Sequence, residues 1–178
     1  MTMMIKVHRF NKYFWLASVV ALAVAVAGCQ SSSGKNKKIS TLIELHLEAN
    51  QDSSSDHIPI TISQDPPVVI NVEKECFVDG GDVAEAKVVE DAVGFKLQLQ
   101  FNWRGTLLLE SVTSANRGRR LAIFCAFGPT RWLGAPMIGK KISDGVFTFT
   151  PDATREEADR IVKGLKAVAA AIKKKELL

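Results

Sequence analysis

Three cysteines, three histidines and one adjacent pair of glutamates are the side chains from which this chain of 178 residues could build a reacting or ligating centre. Cys29 is the most telling of them. It follows Val26, Ala27 and the small Gly28 at the end of an apolar run, where a signal peptidase can cut. The chemistry this suggests is acylation of a sulfur at a new N-terminus. Cys76 and Cys125 would then form a possible disulfide in an oxidising compartment, provided their Cα atoms approach within about 7 Å. Against that, Cys125 lies in the apolar run 121–125, where a cysteine serves as a small buried hydrophobe. His8 falls in the leader, leaving His46 and His57, with Asp52, as metal candidates; no third and fourth ligand accompany them at a recognised spacing. Nor is there a Gly-x-Ser-x-Gly elbow. Glu156 and Glu157 fall in the first turn of a helix, where carboxylates have a structural task. The expectation is a protein with no catalytic residue, no metal and no cofactor.

Contact chemistry has better candidates than catalysis. Arg117, Arg119 and Arg120 cluster between a helix and a strand, where they could hold a partner's acidic segment. Trp132, beside Arg131 and a Gly-Pro turn, is the expected exposed aromatic contact, whereas Trp103 is expected in the core. Nucleic acid is excluded as a partner. The formal charge of +4 owes three cations to the leader, and residues 40–172 carry 14 basic against 18 acidic side chains, the wrong sign for a phosphate-binding face.

Three segments position these groups. Lys6, Arg9 and Lys12 precede an apolar stretch from Phe14 to Ala27, interrupted by Ser18, which is too short for a comfortable membrane span. Residues 1–28 therefore read as a signal peptide and 29–39 as a flexible, Ser- and Lys-rich tether. Lys35, Lys37 and Lys38 could lie against anionic headgroups at about 1 kcal/mol each, or simply be solvated linker charge. Residues 40–178 read as one domain.

Within that domain, residues 42–48 alternate like a strand, with His46 on the polar side. Short extended pieces follow at 58–62 and 68–72, and Asp82 is placed to cap the segment 83–86. Phe95, Leu97, Leu99 and Phe101 mark the clearest amphipathic strand. Asn102 is placed to cap a helix ended near Gly118. Extended pieces at 121–127, 132–138 and 142–149 precede a last helix, whose start carries Thr154 and Glu157 in capping-box spacing. The order predicts an α+β fold, a mixed but mainly antiparallel sheet with two helices packed on one face.

Two resemblances follow from these residues. Val26-Ala27-Gly28-Cys29 resembles the lipobox of bacterial lipoproteins, which implies a diacylated Cys29 and anchorage in the cell envelope, with Gln30 favouring an outer-membrane address where two membranes exist. Arg120 to Phe124, Leu133 to Ile138, Ile142 to Phe147 and Thr154 to Ala158 resemble, in order and spacing, the first periplasmic domain of SecD, a protein-export subunit. Asn102, Gly105, residues 72–78 and Asp82 to Ala86 extend that resemblance across 68–172. It implies contact with extended or unfolded polypeptide. SecD itself couples proton flow through charged intramembrane residues, and no segment after residue 28 is suited to that task. The expected function is a lipid-tethered, non-catalytic module binding polypeptide or a protein partner along an exposed strand edge or hairpin, the open edge being expected near Trp132 to Ile138, with a structural envelope lipoprotein that self-associates or joins a larger complex as the alternative.

Overall fold

The structure is a computed structural model and describes residues 41–49, 57–63 and 66–177. Cys29 and the segments read as signal peptide (1–28) and tether (29–39) lie outside them. Among the described residues nine strands, two α-helices and one 3-10 turn run in the order β1 (Leu42–Leu47), β2 (His57–Ile62), β3 (Val68–Glu73), β4 (Val78–Asp79), the 3-10 turn (Gly80–Asp82), β5 (Val83–Asp91), β6 (Gly94–Phe101), α1 (Trp103–Ala115), β7 (Leu121–Ala126), β8 (Thr130–Gly134), β9 (Val146–Phe149) and α2 (Arg155–Glu176). The class is α+β, and every described strand pair is antiparallel.

The expected sheet is divided into three: β4-β1-β7-β8, the hairpin β2-β3, and β5-β6-β9. Alternation on β1 and β7 sends Ile43, Leu45, Leu47, Leu121, Ile123 and Cys125 into the main core, which β6, β9 and both helices complete. Leu109 of α1 and Ala158, Ile161 and Leu165 of α2 are each no more than 1% exposed in that core.

The opposite face of the four-stranded sheet is also covered. Ile60, Ile62 and Val72 of the β2-β3 hairpin pack with Ala122, Ala135 and Trp132 in a second cluster. His46 therefore departs from its expected exposure: it is 5% exposed, meets the Trp132 ring edge-on at 5.2 Å, and its Nδ1 lies 2.9 Å from the Glu73 carbonyl. An amphipathic pattern identifies one buried face. It does not reveal that a distant hairpin will cover the other.

Local signals at the helix ends are realised. Asn102 accepts from the Gly105 N–H at 2.8 Å, and α1 gives way at Asn116 with Gly118 at φ +85° just beyond. On α2 the Thr154 hydroxyl accepts from the Glu157 N–H while the Glu157 carboxylate accepts from the Thr154 N–H. Asp82 does not cap a following segment, because residues 83–91 form β5. It ends the 3-10 turn instead, 2% exposed, with the Arg104 guanidinium donating to both carboxylate oxygens at 2.7–2.8 Å.

Glu157 yields a pH-dependent expectation. The Thr154 N–H, followed by the Arg131 guanidinium at 2.6 Å, holds its carboxyl below the usual range. A depressed folded-state value contributes stability that is complete above the unfolded carboxylate value of about 4.3 and is lost as pH falls through the folded one. Glu157→Gln should therefore cost about 1–2 kcal/mol at neutral pH, with the gap closing below about pH 4. Urea midpoints at pH 7 and pH 3 read both numbers, and a pH-independent gap would contradict the assignment.

Candidate functional site

The sequence candidates for partner contact are largely engaged within the fold. Arg119 donates to the Glu48 carbonyl and to Glu73 at 3.1 Å, joining the start of β7 to the ends of β1 and β3. Arg120 donates from its backbone N–H to the Glu48 carboxylate and from its side chain to the Ala135 carbonyl at 2.9 Å. Arg131 donates to the Asp152 carbonyl and to Glu157, with its guanidinium 5.5 Å from the Phe127 ring centroid. Only Arg117 of the four is exposed.

Trp132 and Trp103 exchange their expected roles. Trp132 is half-buried between His46 and Phe124, both edge-on at 5.2 Å. Trp103, the first residue of α1, is 79% exposed, with Leu107 one turn on at 46%. A tryptophan at the first helical position packs only if something covers that turn, and nothing among the described residues does.

The thiols remain apart. Both Cys76 and Cys125 are free. Cys125 is on β7 and Cys76 immediately precedes β4, with β1 lying between those two strands. Next-nearest strands are about 9.5 Å apart, beyond the reach of a disulfide. Burial pushes the Cys125 thiol up to about 12, and burial together with Glu44 and Asp79 raises that of Cys76. Neither is thereby made a ready nucleophile at neutral pH. Among the described residues no three His, Cys, Asp or Glu side chains gather to hold a metal ion.

An open sheet edge does exist, though not where the sequence placed it. On β8 the Leu133 carbonyl accepts from the Asp152 N–H at 2.6 Å, and Leu133 to Ala135 are buried, so that edge is closed. β9 is different. It pairs with β6 on one side, and its residues Val146, Phe147 and Thr148 line a cavity of about 580 Å³ together with Thr113, Leu121 and residues 136–145 in part.

The segment 138–145 runs back along α1 to form the cavity wall. Ile138 accepts from the Gly118 N–H at 2.9 Å, Ile142 donates to the Thr113 hydroxyl at 3.0 Å, and Lys141 pairs with Glu110 at 2.8 Å. At the far end Phe101 donates to the Gly145 carbonyl at 2.9 Å. Gly145 has φ +69°, and a Cβ there would strike the Thr106 hydroxyl, so both conformation and space demand glycine. Met137, 60% exposed, marks one end of this feature, and Trp103, just past Phe101, the other.

The sequence family described as the P1 head subdomain of SecDF matches residues 56–172. The chain belongs to this family. A solved SecDF structure, that of a membrane component that enhances protein export, superposes with a TM-score of 0.53 at 17% identity, covering 92% of this chain and 72% of that one. SecDF in a super-membrane-facing form gives 0.47 at 16% identity over 87% of this chain and 33% of that one. The translocon-associated SecDF of Thermus thermophilus gives 0.40, also at 16%, over 88% and 34%. No curated protein matches the chain. The resemblance to the first periplasmic domain of SecD is thus a family membership, and the fold is that of the P1 head. Within this P1 head subdomain, the β9 edge and Met137 escaped sequence reading because edge status is a property of strand order; Trp103 carried a signal, its place directly after the helix cap.

Proposed function

We propose that this P1 head subdomain is a non-catalytic polypeptide-binding module of the cell envelope, connected with protein export and tethered through lipid on Cys29. The observation that carries the reading is the free edge of β9 lining the cavity. An extended segment added there would gain main-chain hydrogen bonds, while Met137, Ile142 and the cavity receive its alternate side chains. Trp103 offers a large exposed apolar surface at the Gly145 end of the same edge. Family membership and the export role of the SecDF relative supply the biological direction. Among the described residues no helix is long and apolar enough to cross a membrane, so membrane attachment in this reading falls to the acylated cysteine.

The test is binding of a reduced and alkylated, permanently unfolded polypeptide to the full chain, followed by anisotropy. Met137→Glu and Trp103→Ala are each expected to weaken binding about tenfold. Because both side chains are exposed, stability should move by less than about 0.5 kcal/mol. Unchanged affinity in both variants overturns the site. Intact mass of the cellular product reads the anchor: an acylated N-terminal Cys29 is expected, and an unmodified thiol overturns it. A stable oligomer that binds no polypeptide would favour the structural-lipoprotein alternative.

A further inference from the structure

The outward face of α2 carries a basic stripe that neither the core nor the proposed peptide edge uses. From Arg160 onward the helix holds Lys163, Lys166, Lys173, Lys174 and Lys175 against a single acid, Glu176. All of these lysines are exposed, and none has an ion-pair partner among the described residues. At about 100° per residue, Lys163 and Lys174 lie opposite Ala158, Ile161 and Leu165, the residues that face the core, with Lys166 and Lys173 together on one flank. Of the acids in the first turns, Asp159 pairs with Arg155 at 3.5 Å and Glu157 with Arg131 and Arg160, while Glu156 stands exposed two turns before Lys163. From Lys163 to Lys175 the helix itself holds no acid, over about 18 Å.

The chain enters the domain against this helix. Thr41 is 2% exposed and packs so closely on Gly164 that a Cβ there would lie 2.6 Å from the Thr41 Cβ. Twelve residue steps separate Thr41 from Cys29, which limits their separation to at most about 40 Å, and Lys35, Lys37 and Lys38 fall within them. We infer that α2 is the membrane-facing surface of the domain and that its lysine stripe docks on anionic phospholipid headgroups. This rests on the lipid-anchor reading, since an anchor joined to the domain by so few residues holds the bilayer at high effective concentration, where weak screened attractions suffice.

The experiment uses the full chain as cells process it, placed on vesicles of phosphatidylcholine alone or with about a third phosphatidylglycerol. Lysine acetylation by a water-soluble reagent is read residue by residue. Lys163, Lys166, Lys173 and Lys174 are expected to label at least about threefold more slowly on anionic vesicles, with the protection lost in about 0.5 M salt and Lys87 and Lys140 unaffected. The variant carrying Lys163→Glu, Lys166→Glu, Lys173→Glu and Lys174→Glu should lose the effect, as Lys175 and the tether lysines label alike on both vesicles. Equal labelling on the two vesicles overturns the inference, as does protection by a dissolved acidic polypeptide without protection by anionic vesicles. Failure of the anchor reads separately, as loss of the chain from neutral vesicles in flotation; co-flotation with anionic vesicles then still reports the stripe.

Discussion

Gly164→Ala is expected to destabilise the domain by about 2 kcal/mol, opposite in sign to the same change in an ordinary helix. Helix propensity alone would favour alanine by about 0.8–1 kcal/mol. Position 164 differs because the added methyl would overlap both the Thr41 hydroxyl and, at 2.6 Å, the Thr41 Cβ. Rotating the threonine relieves only the first clash. Its Cβ moves only with the backbone at the start of β1, a strand held by β4 on one side and β7 on the other. Thr41 is 2% exposed and its Oγ1 has no hydrogen-bond partner, so the close approach of α2 is packing rather than polar pairing. Overpacking of this kind costs about 1–3 kcal/mol and here exceeds the propensity gain. Combining Gly164→Ala with Thr41→Gly removes both colliding groups, and a double-mutant cycle should return a favourable coupling of at least about 1 kcal/mol. A stabilised single variant would mean that α2 does not lie on β1 as described.

The parts of this fold that were legible in the sequence are those fixed by neighbours along the chain. Asn102 before α1 and Thr154 with Glu157 before α2 act within three residues, so spacing alone identifies them. The β6 alternation likewise predicts the buried Leu97, Leu99 and Phe101. What escaped depends on segments far apart. His46 and Trp132 are covered because β2 and β3 cross the second face of the sheet, and nothing near either residue announces that hairpin. Arg119 and Arg120 look like loop charges until Glu48, over 70 positions away, supplies the acceptors.

The candidate site was less legible than the fold for the same reason. Sequence suggests an exposed edge near Trp132 to Ile138, and that stretch does help to enclose the cavity through Pro136, Met137 and Ile138. The open edge belongs instead to β9, because Asp152 returns to occupy Leu133 of β8 while no described strand pairs with Val146 to Thr148 on the side away from β6. Alternation is identical in a central strand and an edge strand; only the order of strands separates them.

Phe127→Ala is expected to have the larger effect, a loss of about 3–5 kcal/mol. The ring is 1% exposed and closes β7 against the beginning of α2. Removing it vacates aromatic volume in the core it shares with Ala158 and Ile161 of α2 and Leu133 of β8, residues held in place by their own elements. It also withdraws the apolar platform beneath two guanidiniums, Arg131 at 5.5 Å and Arg160 at 5.9 Å. Those cations converge on Glu157, so the loss should spread to the capping box and loosen the first turn of α2. Phe127→Leu restores most of the apolar volume but not the face presented to the cations, and should recover more than half of the stability. Chemical denaturation gives both values, and amide exchange at residues 155–158 reads the coupling. If Phe127→Ala costs less than about 1 kcal/mol, or leaves that turn as protected as before, the ring does not join the sheet to the helix.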